Sequence, residues 1–464
     1  MYKIKYFIAL FFIYIFVDVN SKSNWPSWGS YNQYHYKKIF YPKNIEDVKY
    51  IIKTAIKKNY NIKAIGSLHS WRSLVNTNGY IINTDKLNKV LCIDIENKKI
   101  KVECGIKLKE LFRILAENNL ALANQGFIAE QSIAGAICTG THGTGHTGCL
   151  SDFVIELEVI DGLGQLHKVS KDSNSDWLSY LRVSLGALGF IYSVTLQCQD
   201  LFLLNHKREI SNWDDVFQNY NKYYLENDYY MFMAHPKYDT VLNFFWNKLN
   251  KKNDFIKRSY FRDIPQNTIT NTHLSKGAIK LINYNPKIGD MLMQVWLYGM
   301  QKSLHSQYSY LSLSPLIDPL SVEYYIEAEY AIDIKDFAKV MQEIKDFYID
   351  YENKNNLSLT AVYTCRFSPG FDLSNLSLAY KRDTAYITIN IINYFDNYID
   401  FFKKLDIIFQ RYLARPHWGK FHFLDKDRVS IIYGQENIDK FNLLRAKLDP
   451  NGIFTNDYIK KCFD

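Results

Sequence analysis

A short apolar stretch, 62–65, runs directly into the turn Gly66-Ser67-Leu68-His69-Ser70, and this junction constrains the chain more than any other feature. The stretch reads as a strand, so the turn presents a histidine at a strand end. About seventy residues later a second turn, rich in Gly, Thr and His, follows. Two such turns in one region predict a site for a large phosphate-bearing ligand, because glycine turns expose backbone N–H groups.

A chain of 464 residues is longer than one core serves, since single cores stop growing near ~250–300 residues, so two or more domains are expected. With 47% hydrophobic and 16% aromatic residues the composition is globular. The net charge of +8 is spread as single lysines and short pairs, without the basic run of a nucleic-acid arm, so no nucleic-acid partner is expected. Seven cysteines include no C-x-x-C pair and are too sparse for a disulfide scaffold.

Residues 1–22 carry Lys3 and Lys5 ahead of an apolar run, 6–17, that Asp18 ends. That run is short for a membrane span of ~20 residues and suits a signal peptide or signal anchor. The expectation is a secretory-route, ER or otherwise membrane-associated protein, with membrane association through the N-terminus. A hydrophobic N-terminal tail or strand is the plain alternative. The sequons at Asn356 and Asn375 matter only on the secretory route.

Helical spacing of Val48, Ile51, Ile52 and Ala55 predicts a helix over 45–59, followed by the strand 62–65. Strands at 79–83 and 99–103, a helix at 108–118, and strands at 154–160 and 189–197 complete this part, with Leu-Gly-Ala-Leu-Gly at 185–189 as a tight turn. No regular βαβ repeat emerges, so the fold class is α+β rather than doubly wound. After about residue 200 glycine becomes scarce and aromatic alternation dominates, with strands expected at 320–330 and 386–392 and a helix at 334–348. The expected units are 1–22, 23–200, 201–415 and 416–464.

Gly135, Gly140, Gly143, Gly145 and Gly148, interleaved with Thr139, Thr141, Thr144 and Thr147, predict a loop able to hold a pyrophosphate. Neither a Walker A sequence nor G-x-G-x-x-G is present, and a ligand-free glycine connection is the plain alternative. His142, His146 and Cys149 have a spacing that supplies three metal ligands, but a fourth ligand or catalytic carboxylate is lacking and no metal is expected. His69 alone reads equally as a structural turn residue or as a cofactor contact. His417, Trp418 and Lys420 read either as a buried Trp with solvated neighbours or as the cationic edge of a pocket, with Arg366 as a second cation on an expected strand.

Taken together, G-S-L-H-S (66–70), S-I-A-G (132–135), T-G-T-H-G-T-G (139–145), L-G-A-L-G (185–189), P-H-W-G-K (416–420) and K-L-D-P-N-G-I-F (447–454) resemble the aldonolactone oxidoreductases of the vanillyl-alcohol-oxidase flavoprotein superfamily. The resemblance spans nearly the whole chain after the first two dozen residues. It implies a two-subdomain FAD-binding domain of the PCMH type, an α+β cap domain and a C-terminal segment that returns to the flavin. Cofactor contacts then fall to Gly66, Ser67, Leu68, His69, Ser70, Gly126, Ser132, Gly135, Thr139, Gly140, His142, Gly143, Thr144, Gly145, Gly189 and Lys420. The reaction falls to Arg366, Lys420 and His417.

The resemblance further implies FAD bonded covalently through His69, where the plant dehydrogenase of the family has leucine. Gly126 aligns with the glycine that leaves O2 a path to the flavin in the oxidases. The implied reaction removes hydride from the hydroxyl-bearing carbon beside the carbonyl of a sugar 1,4-lactone, whether L-gulono-, L-galactono- or D-arabinono-. It delivers that hydride to flavin N5 and, through O2, yields H2O2 and ascorbate or an analogue. Arg366 would stabilise charge on the flavin edge, Lys420 would orient sugar hydroxyls, and His417 would accept a proton. A dehydrogenase using a cytochrome or quinone, and an inactive flavin-fold binding protein, are the alternatives. One departure stands out: relatives carry Glu-x-Arg on a cap strand where this chain has Thr364-Cys365-Arg366, so a carboxylate is missing.

Overall fold

A computed structural model of the chain describes residues 36–70, 74–249, 255–256, 281–282, 284–299, 304–314, 326–392 and 395–464. The N-terminal segment 1–22 and the stretch 320–325 lie outside the described residues. No helix among the described residues is long and apolar enough to cross a membrane.

The first helix, Ile45–Lys58, begins where the Asn44 side chain accepts the Asp47 N–H and ends at Asn59 in the left-handed conformation. Its apolar stripe, Val48, Ile51, Ile52 and Ala55, is buried. Beside it lies a small parallel sheet in the order Lys38–Phe40, Tyr80–Asn83, Ile62–Ile65. An antiparallel five-stranded sheet follows, in the order Val90–Asp94, Lys99–Glu103, Phe190–Gln197, Val154–Ile160, Leu166–Ser170. The short helix Ile133–Cys138 runs between these sheets and the glycine-rich turn.

The second half is built on an antiparallel eight-stranded sheet. Its order is Leu304–Tyr308, Leu203–Ser211, Val241–Lys248, Tyr229–Ala234, Ala361–Ser368, Thr384–Ile391, Ile326–Asp333, Arg415–Pro416. Alternation gives the strands two faces. One face, with Tyr230, Phe232, Tyr363, Cys365, Phe367, Ile387 and Ile389, packs under the helices Trp213–Glu226, Phe337–Asn355 and Tyr398–Gln410. The other face turns back toward the first half. After the last strand the chain re-enters the first core: Trp418, Phe441, Phe454, Ile459 and Phe463 share one cluster with Leu74 and Leu181.

The mixed, mostly antiparallel sheets with segregated helices make an α+β fold, as expected. The strands predicted at 99–103 and 154–160 are found with those bounds, while the helix predicted at 334–348 begins at Phe337 and extends to Asn355.

The glycine-rich turn lies inside the fold: residues 139–145 are all buried at the seam between the two halves. The Gly145 N–H donates to Phe367 O at 2.8 Å, and the Thr144 hydroxyl contacts the carbonyls of Tyr230 and Phe367 while accepting the Phe367 N–H at 3.1 Å. Thr144 and Gly145 thus spend their polar groups on the eight-stranded sheet. Thr144→Val should leave a buried Phe367 N–H without its acceptor and lower stability by about 1–3 kcal/mol in urea denaturation. An unchanged midpoint would show that the seam is not held there.

Candidate functional site

Strand Ile62–Ile65 delivers the 66–70 turn to the wall of a cleft that is partly open to solvent. Gly66, Ser67, Leu68, His69, Ser70, Ser132, Gly135, Thr139 and Gly189 all line it. The close approach of the two turns requires glycine at 66, where a Cβ would lie 1.9 Å from Ser132 Oγ. Leu68 holds φ at 56°, a left-handed backbone that costs an L-residue ~1–2 kcal/mol, and its side chain is anchored against Ile65 and Ile81. Burial, with the nearby Lys420 and Lys107 ammonium groups, pushes His69 down to about 3, so its imidazole is neutral.

This cavity fits a flavin dinucleotide. Ile65, Leu74, Val75, Phe190, Ile191 and Phe454 supply apolar walls for flat rings, and Ser67, Ser70, Thr84, Ser132 and Thr139 supply hydroxyls. Gly126, Gly140, His142, Gly143, Thr144, Gly145 and Lys420 are not part of its lining.

His142, Arg366, His417 and Lys420 gather instead on the face of the eight-stranded sheet that turns toward the first half. The His142 ring stacks on Tyr386 at 3.6 Å, its Nδ1 lies 3.0 Å from Gly143 O, and its Nε2 lies 2.7 Å from Glu329 Oε1. A carbonyl and a carboxylate both accept, so each ring nitrogen faces an acceptor and the ring is held from both sides. The other Glu329 oxygen accepts the Thr388 hydroxyl at 2.7 Å and lies 3.7 Å from Arg366 Nη1. Burial alone would raise the Glu329 carboxyl, but hydrogen-bonded His142, then His417 and Arg366, hold it well below the usual carboxylate range. Arg366 also lies over the Phe127 ring at 5.3 Å.

Lys420 is paired with Glu327, one step along the same face of strand Ile326–Asp333. His417 accepts the Gly419 N–H on Nδ1 at 3.0 Å, which leaves its proton on Nε2. Burial pushes His417 down to about 3 against the opposing pull of Glu329, with Lys420 and His142 adding to the lowering. His417 is therefore a neutral imidazole that presents an N–H on Nε2 in this arrangement.

His142, Glu329 and His417 have ligand atoms within 4.8 Å of one another. The donor set nevertheless suits hydrogen bonding better than a divalent ion, because the His417 Nε2 keeps its proton while Nδ1 is an acceptor and the Arg366 cation stands alongside. The trio His142, His146 and Cys149 is not brought together: His146 meets Asn227 O at 3.0 Å, and Cys149 bonds Ser151 and Asp152.

The two clusters meet at Gly419, where a Cβ would lie 3.3 Å from both Ser70 Oγ and His417 Cε1. Sequence reasoning missed Glu327, Glu329, Tyr386 and Thr388. A signal for the acids was present, since Glu327 and Glu329 are two residues apart on an apolar strand and so share one face.

The C-terminal part of the chain, 194–462, matches a family model described as D-arabinono-1,4-lactone oxidase, and 36–170 matches one described as an FAD binding domain. The L-gulonolactone oxidase of Mus musculus is 27% identical over 95% of this chain and 97% of its own. The L-gulono-1,4-lactone dehydrogenase of Mycobacterium tuberculosis is 29% identical over 94% of this chain and 98% of its own. Among solved structures, cholesterol oxidase from B. sterolicum superposes with a TM-score of 0.79 at 17% identity, covering 92% of this chain and 94% of that one, a likeness of fold.

Below about pH 6.5 an unfolded histidine takes up a proton, whereas folded His417 does so only near 3. The folded state binds fewer protons in this window, so stability falls as pH drops through it, by about 2 kcal/mol between pH 6.5 and 5 for this residue. Denaturation midpoints at pH 7, 6 and 5 should therefore fall less steeply in His417→Asn than in the parent. Parallel slopes would contradict the neutral assignment.

Proposed function

Because the chain belongs to the D-arabinono-1,4-lactone oxidase family, we propose that it is an FAD-dependent oxidase of a sugar 1,4-lactone such as L-gulono-, L-galactono- or D-arabinono-1,4-lactone. The reading rests above all on Gly419, which joins the His69 turn of the cofactor cavity to the charged face of the cap sheet. Bound FAD supplies the two-electron acceptor. Everything else falls to side chains of the chain itself, in a division that takes 23–200 as the flavin domain, 201–415 as the cap and 416–464 as the returning segment, with 1–22 directing the protein to the secretory route.

Arg366 presents a fixed cation where negative charge develops on oxidation of a lactone, and Glu329 with His142 holds that cation in place. Lys420 and Glu327 offer a donor and an acceptor to a polyhydroxylated ring, and His417 offers an N–H. The carboxylate absent at Thr364 is supplied from two strands away. Thr364 pairs with Thr388, and Thr388 with Glu329, so one cross-strand row carries the acid back to Arg366. The product would be ascorbate or an analogue.

His69 is the proposed attachment point, since a neutral imidazole in the cavity wall retains a nucleophilic lone pair. After denaturation the yellow colour should stay with the wild-type chain and separate from His69→Ala. Colour lost from both would overturn the covalent assignment. Glu329→Gln should lower kcat with the lactone on the order of ten- to a hundredfold with little change in KM, because Arg366 and His142 lose their common partner.

The dehydrogenase name of the M. tuberculosis relative supports a second reading in which the electrons leave for a cytochrome or quinone. H2O2 formed with lactone in air separates the two. At Gly126 a Cβ would stand 2.7 Å from Thr141 Cγ2, narrowing the route proposed for O2. Gly126→Ala should cut H2O2 formation more than it cuts reduction of an artificial dye. Equal effects on both would place the O2 path elsewhere.

A further inference from the structure

Lys63 has a use in this fold that the reading above leaves open. It sits on strand Ile62–Ile65, only 3% exposed, and lines the cofactor cavity together with Cys138 and Gly186. Its ammonium has one hydrogen-bond acceptor, Gly186 O at a long 3.4 Å, and no carboxylate within ion-pair distance among the described residues. The surrounding titratable groups are Asp449, Cys138 and Arg445. Asp449 is spent on the N–H groups of Ile453 and Phe454 at 2.9 and 2.8 Å, and Arg445 is paired with Asp464. A cation buried this far without an ion-paired carboxylate is costly, and the cavity beside it is where a further counter-charge fits.

The cavity has a direction. Its wall passes from His69 to Gly66, which meets Ser132, then along helix Ile133–Cys138 to Cys138, beside Lys63. With the flavin ring held at His69, the far end of this wall beside Lys63 would be left to the opposite half of the dinucleotide, which carries the phosphates. Ile191 and Phe454 line the same cavity with apolar surface suited to a purine. Resting on the FAD reading, we propose that Lys63 is the counter-cation of the adenosine diphosphate half of the cofactor. Burial pushes Lys63 down to about 8, with Asp449 and Cys138 opposing and Arg445 assisting, so the free protein loses this charge in the alkaline range.

The test uses the full chain with His69→Ala, so that flavin is removable, and titrates the apoprotein with ADP, riboflavin and FAD. Lys63→Met should weaken ADP and FAD binding roughly ten- to a hundredfold while leaving riboflavin within about twofold, and Lys63→Arg should restore most of the loss. ADP affinity should fall above about pH 8 in the parent and stay flat in Lys63→Met. Thermal melts add a second readout: Lys63→Met should melt no lower than the parent without ligand and lower than the parent with FAD.

ADP and FAD affinities unchanged in Lys63→Met would overturn the proposal while leaving the FAD reading intact. A lower melt of the ligand-free variant, or equal weakening of riboflavin and ADP, would show that Lys63 serves Asp449 and the fold instead, and also overturns it. Failure of the parent apoprotein to bind FAD at all would sink the cofactor reading itself.

Discussion

Glu329 is a carboxylate on the strand next to the edge of the eight-stranded sheet, nearly free of solvent, and four segments converge on this residue. His142 arrives from the glycine-rich turn, Thr388 from the adjacent strand and Arg366 from the strand beyond it, and the His417 backbone N–H donates to the Glu329 backbone carbonyl at 2.9 Å. A buried charge of this kind persists only when each of its lone pairs is met, so the partners are constrained together. The eight-stranded sheet, the glycine-rich turn and the C-terminal segment are thereby held in one arrangement.

The same constraint explains why the glycine-rich turn is buried. For His142 to reach Glu329, the turn must lie flat against the eight-stranded sheet, and its neighbours Thr144 and Gly145 close the remaining hydrogen bonds with Phe367 and Tyr230. Small residues and hydroxyls suit that seam as well as they suit a phosphate. The cofactor cavity is then left to the 66–70 turn, helix Ile133–Cys138 and the turn at 184–189, with Phe454 closing it from the C-terminal segment.

Much of the first half was legible from periodicity. The stripe of Val48, Ile51, Ile52 and Ala55 and the turn after Ile65 are local signals, and the structure uses each where the pattern places it. Arg366 and Lys420 were legible as cations out of keeping with their apolar surroundings. Their partners were not, because Glu327 and Glu329 become meaningful only when strand Ile326–Asp333 lies beside Thr384–Ile391. Thr364 shows the difference most clearly. As a sequence it marks a missing acid, while as one position in a cross-strand row it is a neighbour of Thr388, with the acid one strand further.

The sequence alone determined the kinds of local structure, the turn that presents His69, and the family to which the motifs point, because each depends on residues near one another in the chain. The neutral state of His417, the seam made by Thr144, and the compensation of Arg366 by Glu329 were decided only by the tertiary structure. Those properties depend on burial and on register between strands dozens to hundreds of residues apart. Neither quantity is written in a local pattern.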